Sequence, residues 1–212
     1  MRGALAPVVL IPLKPLAEAK SRFREAFDDQ ARAELVRAML IDVLTAVRSV
    51  HSGPLYLVTS DDAYDDIAAR FEAGRQPDLG SDYSSAVAGA LRSEAVRAAG
   101  AAVVLPADVP RGTSADIAMA IESLGEAEVV LVAAADGGTG LLGLRPPDAI
   151  APAFGVRSAQ AHLQAAAASG RRAAVLNCDS LARDVDTPAD LTRDPESFGA
   201  ATRAFLARRA RA

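Results

Sequence analysis

A single cysteine, Cys178, stands in a chain of 212 residues. One thiol closes no internal disulfide, and no neighbouring cysteine offers the paired thiolates of a zinc site. That usage fits a reducing compartment, so a cytoplasmic protein is expected. A basic excess is also missing: 23 Lys and Arg face 27 Asp and Glu, which gives a formal net charge of −4. No overall positive field exists to hold a nucleic-acid backbone, and a small-molecule partner is expected instead. Long apolar runs are absent too. The opening stretch is broken by Pro7, Pro12 and Lys14 before a signal-peptide core or a membrane span could form, so it reads as a buried first strand with no membrane partner. There is no Walker glycine pattern, which excludes a P-loop. Without a fixed-period repeat or a low-complexity linker, residues 1–212 are expected to fold as one domain.

What is present is an alternation. Short apolar runs at 8–13, 55–59, 102–105, 129–134, 141–145 and 173–177 are bounded by Pro, Gly and Asp and read as strands. Helical spacing separates several of them. It is clearest over 29–50, where Leu35, Met39, Val43, Val47 and Val50 share one face, and it recurs over 61–72, 83–99, 114–124 and 158–169. Thr187-Pro188 supplies an N-cap and an N1 proline for another short helix, and the Arg-rich tail from Pro195 reads as a solvated terminal helix. The pattern predicts an α/β fold with a mostly parallel sheet covered by helices.

In such a sheet ligands collect beyond the carboxyl ends of the strands, which directs attention to four polar segments. After the first strand come Lys14, Lys20 and Arg22, enough cations to wrap a triphosphate, although a solvated basic helix start has the same composition. Asp108 follows an apolar strand and is flanked by Pro106 and Pro110, which would present a carboxylate rigidly to a hard cation or simply build a turn. Asp184 and Asp186 are one residue apart and point the same way if extended, the arrangement of a shared magnesium site or of helix capping. Asp136-Gly137-Gly138-Thr139-Gly140 and Phe154-Gly155-Val156-Arg157-Ser158 could bring backbone amides and hydroxyls to an anion, or be plain turns.

Taken together, in this order, the segments 14–22, 105–110, 136–140, 154–158 and 184–188 resemble the phosphoenolpyruvate or 2-phospholactate guanylyltransferases of deazaflavin coenzyme F-420 biosynthesis. The resemblance runs from about Val8 to Leu191. It implies a glycosyltransferase-A-like, doubly wound fold shared with molybdenum-cofactor and sugar nucleotidyltransferases. The reaction it implies joins GMP from GTP to the phosphate of phosphoenolpyruvate and releases pyrophosphate. The same chemistry on 2-phospho-L-lactate or 3-phosphoglycerate is the alternative, as is a catalytically silent nucleotide-binding relative. By motif position, Asp108, Asp184 and Asp186 would bind Mg2+, Thr139, Gly155 and Ser158 would contact the phosphorylated three-carbon acid, and Lys14, Lys20 and Arg22 would face the triphosphate. A homodimer is left open.

Three departures stand out. Leu141-Leu142 follow Gly140 where the family usually has Thr-Asn, and the helix start near the nucleotide reads Leu79-Gly80-Ser81-Asp82-Tyr83-Ser84-Ser85 in place of a Gly-Leu-Asn-Ala-Ala-like run. Arg111 follows Pro110 where relatives tend to be apolar, and an extra cation beside the metal site is expected there. Only His51 and His162 occur, the first read as lying in a surface turn. No histidine general base is expected, because a phosphate acceptor is already a nucleophile.

Overall fold

The computed structural model describes residues 6–211. Seven strands form one sheet: β1 (Val8–Pro12), β2 (Leu55–Val58), β3 (Gly74–Gln76), β4 (Ala102–Val104), β5 (Val129–Ala133), β6 (Thr139–Leu144) and β7 (Ala173–Leu176). Their order is β3-β2-β1-β4-β6-β5-β7. Pairs β1–β2, β2–β3, β1–β4 and β5–β7 are parallel, while β6 runs antiparallel to both β4 and β5. Successive parallel strands move one way from β1 through β2 to β3, and the chain then crosses to β4 on the other side of β1. The crevice beyond Pro12 and Val104 is therefore the topological switch point where doubly wound sheets place ligands.

The helices cover both faces with apolar stripes, and Asp28, Asp82, Ser93 and Thr113 each cap a helix through the side chain. β1 shows how the two faces are divided: Val9 and Ile11 enter one apolar cluster, Val8 and Leu10 the other, as the two-residue period of a strand requires. Against the first face lie α1 (Asp29–Arg48), α2 (Asp65–Arg70), α5 (Ser114–Ser123) and α8 (Ala200–Arg209), through Leu35, Val43, Ile67, Ile117 and Phe205. Against the second lie α3 (Tyr83–Leu91), α4 (Glu94–Ala99) and α6 (Ser158–Ala168), through Val87, Val96, Ala159 and Ala166. The short α7 (Pro188–Thr192) sits near the chain's end with Leu191 buried. No described helix is long and apolar enough to cross a membrane.

The expected elements are recovered with four differences. The run 83–99 is two helices, because Ser93 leaves the helix after α3 and caps α4 through the amide of Val96. Residues 61–72 divide into a 3-10 turn at Asp62–Tyr64 and α2. β3 has no apolar run and exists by pairing to β2 at the sheet edge. Finally, β6 begins at Thr139, so the Gly-Gly segment is the tight connection of a β5–β6 hairpin, closed by the amide of Ala134 on the carbonyl of Gly138 at 2.9 Å. Leu141 and Leu142, where the family pattern differs, are fully buried core residues of β6.

Candidate active site

A cleft of about 560 Å3 opens at the switch point, within the size range of ordinary ligand sites. All nine residues singled out above line it: Lys14, Lys20, Arg22, Asp108, Thr139, Gly155, Ser158, Asp184 and Asp186.

One wall is anionic. β4 ends in the core, and Pro106-Ala107 carry the chain to Asp108, whose carbonyl accepts the amide of Val185 at 2.9 Å. Val185 is fully buried, so in this extended stretch its two neighbours turn to the cleft instead. The next residues are held by a capping box on α7, in which the Asp190 carboxylate accepts from the amides of Asp186 and Thr187 and from the Thr187 hydroxyl. Each of Asp108, Asp184 and Asp186 offers an oxygen within 4.8 Å of the others. Three carboxylates at that spacing match the oxygen donors a hard divalent cation takes.

Their charges are already partly answered. The Lys20 ammonium donates to Asp108 at 2.8 Å and to Asp186 at 2.9 Å, and Arg22 Nη1 reaches Asp186 at 3.2 Å. Burial alone would lower the Lys20 pKa, but the charges of Asp108 and Asp186 outweigh it and hold it above the ordinary value. Asp184 has no such partner among the described residues. Burial, then the charges of Asp108, Asp186 and Asp136, push its carboxyl up to about 6, with Lys20 pulling the other way. Lys20 itself sits in the left-handed region at φ 52, uncommon for a residue with a Cβ. Fully buried Phe23 and a bond from Arg32 Nη1 to the Ala19 carbonyl at 3.0 Å hold the loop around it. Lys14 is exposed at the rim, its carbonyl accepting from Tyr64 Oη at 3.0 Å.

The facing wall is neutral and rich in donors. Thr139 opens β6 and Ser158 opens α6, and their hydroxyl oxygens lie 2.8 Å apart. Behind them His162, fully buried one turn along α6, places Nδ1 3.1 Å from Thr139 Oγ1 and takes the amide of Ala153 on Nε2 at 2.8 Å. Gly155 has φ 128 with open space where a Cβ would stand, a backbone that favours glycine. Gly140 is required for a different reason: an added Cβ would lie 2.0 Å from the Leu181 carbonyl oxygen. That close approach holds the segment leading to Asp184 against β6.

A family model described as guanylyl transferase CofC like matches residues 7–195. The chain belongs to that family. This guanylyl transferase is 35% identical over 192 residues to a phosphoenolpyruvate guanylyltransferase of Rubrobacter xylanophilus, covering 90% of this chain and 94% of the relative. It is also 36% identical over 179 residues to a 3-phospho-D-glycerate guanylyltransferase of Phenylobacterium zucineum, covering 81% of this chain and 82% of that one. Among solved structures, a nucleotide-diphospho-sugar transferase from Desulfovibrio desulfuricans G20 superposes with a TM-score of 0.77 at 19% identity, over 97% of this chain and 96% of the other. The fold is thus that of the nucleotide-diphospho-sugar transferases, and the chain is a nucleotidyltransferase.

Two expectations fail in the guanylyl transferase. Arg111 adds no cation to the cleft: its guanidinium stacks on the Phe198 ring at 3.8 Å and donates to Ser197 Oγ and to the carbonyls of Asp190 and Arg193. A large flat group with five donors finds more partners against the C-terminal segment than in the cleft. His51 is buried, not on a surface turn, with Nε2 3.3 Å from the Pro54 carbonyl oxygen.

Tyr83 escaped the sequence reading as a site residue. It stands at the first position of α3 and lines the cleft, edge-on to Phe154 at 5.0 Å between ring centres. Its hydroxyl is shut off from solvent and has no hydrogen-bond partner among the described residues, and burial together with the nearby Asp108 charge raises its pKa. The signal was an aromatic residue inside the departing segment Leu79–Ser85.

Proposed function

We propose that the chain joins GMP from GTP to the phosphate of a phosphorylated three-carbon acid, with phosphoenolpyruvate as acceptor. The carrying observation is the division of one cleft into a carboxylate wall tied to Lys20 and Arg22 and a hydroxyl wall 139/158. In this reading an acceptor phosphate oxygen attacks the α-phosphorus of GTP, the bond between the α-phosphorus and the bridging oxygen breaks, and pyrophosphate leaves with that electron pair.

Asp108, Asp184 and Asp186 would hold Mg2+, which when bound supplies charge neutralisation at the triphosphate. Lys20 and Arg22 turn from the aspartates to phosphate oxygens, with Lys14 at the rim, and leave no uncompensated anion at the reacting centre. Thr139, Ser158 and the Gly155 backbone orient the acid, so that positioning and electrostatics do the catalysis. The acceptor phosphate is largely dianionic near neutral pH, and no side chain needs to take a proton from it. His162, pushed down to about 4 by burial, is neutral under those conditions.

3-Phospho-D-glycerate is the second acceptor reading, favoured by the similarity to the Phenylobacterium zucineum enzyme of that name. A silent nucleotide binder fits less well, because all three carboxylates are retained. The proposal places the enzyme in the cytoplasm and its product in deazaflavin coenzyme biosynthesis. Pyrophosphate release, measured with each nucleoside triphosphate crossed against phosphoenolpyruvate, 2-phospho-L-lactate and 3-phosphoglycerate in the presence of magnesium, tests it. Release with GTP and phosphoenolpyruvate above all other pairs is expected. Comparable specificity constants for ATP and GTP would overturn the guanine preference, and no release with any acid would overturn the transfer.

A further inference from the structure

The His162, Thr139 and Ser158 side chains form a hydrogen-bonded row whose protons can be counted. The amide of Ala153 can only donate, so Nε2 of His162, 2.8 Å away, must accept. A neutral imidazole that accepts at Nε2 carries its proton on Nδ1, and that proton is given to Thr139 Oγ1 at 3.1 Å. The contact between Thr139 Oγ1 and Ser158 Oγ at 2.8 Å uses one hydroxyl proton. Two hydroxyls bring two protons, so one remains. Among the described residues nothing takes it up, and both residues, though largely buried, line the cleft.

From this count we infer that His162 is a positioning residue: its main-chain-locked tautomer forces the Thr139–Ser158 pair to present a hydrogen-bond donor to an anionic oxygen of the acceptor acid. The inference rests on the acceptor-side reading given above and adds to it the group that decides the direction of the row. Were the ring proton on Nε2, it would face the Ala153 amide donor to donor, Nδ1 would accept from Thr139, and both hydroxyl protons would be used inside the row. The cleft would then meet only a lone pair, which repels a carboxylate or phosphate. The arrangement therefore guarantees a donor for an acceptor that is itself hydrogen-bond accepting at this point, whereas the opposite tautomer would offer that acceptor none. His162 is held for the task, being fully buried with its ring edge-on to Phe154 at 5.2 Å between centres.

Two measurements test this. The first is independent of the reaction. With only two histidines in the chain, 15N-histidine spectra of the wild-type protein, assigned by loss of one set of signals in His162→Gln, report the tautomer directly. Protonation at Nδ1 is expected across pH 6–8, and protonation at Nε2 overturns the inference. The second is a pair of variants compared at matched thermal stability. In His162→Gln the side-chain amide reaches the Ala153 side and loses the donor to Thr139; in His162→Asn the amide nitrogen stands near the place of Nδ1. The expected result is a KM for phosphoenolpyruvate raised about tenfold in His162→Gln, the size of one lost hydrogen bond to a charged group, with KM for GTP and kcat changed less than threefold, and most of the loss recovered in His162→Asn. An acceptor KM within twofold of wild type in His162→Gln, or equal losses in both variants, overturns the positioning role. Wild-type protein that releases no pyrophosphate with any acid overturns the proposed function instead, and the tautomer spectrum still decides this inference.

Discussion

Lys20 and Asp108 are 88 positions apart in the chain, yet the ammonium of one lies 2.8 Å from the carboxylate of the other. The lysine side chain is only 10% exposed, and it bridges on to Asp186. In the absence of a metal ion, this cation answers two of the three clustered carboxylates and leaves Asp184 without an ion pair among the described residues.

Replacing Lys20 with Gln should therefore destabilise the metal-free protein, by about 1–3 kcal/mol for a partly buried pair broken on one side. Thermal melts in chelator should show the loss at roughly 2–4 °C per kcal/mol. Saturating magnesium should restore most of it, because the ion takes over the compensation. An unchanged melting temperature in chelator would show that Lys20 carries no such load.

Asp184 gives a pH dependence of opposite sense to a salt-bridged aspartate, whose carboxyl is held down. Its folded pKa, about 6, lies above the ordinary 3.8, so the folded chain binds the extra proton. The stabilisation this proton brings is complete below about 4 and is lost as pH rises through about 6. In chelator, Asp184→Asn should therefore melt higher than wild type at pH 7.5 and equal to it at pH 4. A variant that melts lower at pH 7.5 would contradict the sign.

Asp108→Asn and Asp186→Asn should each keep the fold and lose at least about a hundredfold in magnesium-dependent turnover, since a neutral amide is a poor ligand for a hard cation. Circular dichroism and pyrophosphate release at limiting magnesium check both halves. Near-normal rates in both variants would remove these carboxylates from the proposed metal site.

The unpartnered Tyr83 hydroxyl invites a test in which stability and activity move apart. A buried hydroxyl without a partner is a cost, so Tyr83→Phe should melt at or above the wild-type temperature without ligand. If the hydroxyl serves a bound substrate, kcat/KM falls about tenfold in the same variant. A lower melting temperature would mean that the hydroxyl already has a partner in the free protein.

The strands β1, β2, β4, β5 and β7 were legible because each is an apolar run bounded by Pro, Gly or Asp, and Lys14, Asp108 and Thr139 were legible because they stand just beyond such runs. The alternation of Asp184 and Asp186 around a buried Val185 follows from the strand period alone. Less could be read where structure depends on pairing at a distance. β3 is three residues without an apolar run, paired to β2 and tied by side chains to Asp65 and Ser93, and no local pattern announces it. The direction of β6 was written in Asp136-Gly137-Gly138, a hairpin signal that an anion-binding segment would share. The break between α3 and α4 was marked by Ser93-Glu94, a cap followed by an acid. Arg111 could not be placed from its neighbours, because the Phe198 ring and the carbonyls that hold it come from the far end of the chain.

The tie between Val185 and Asp108, and the Gly140 contact that holds Leu181 beside it, have a consequence for biosynthesis. A chain grows from its N-terminus and domains fold as units as they emerge. Lys20, Asp108, Thr139 and Ser158 are all made before the peptide carrying Asp184 and Asp186 exists. Two of the three carboxylates are therefore among the last of the clustered groups to be made, and the cluster is complete only after the last strand has been laid down and the following residues have left the ribosome.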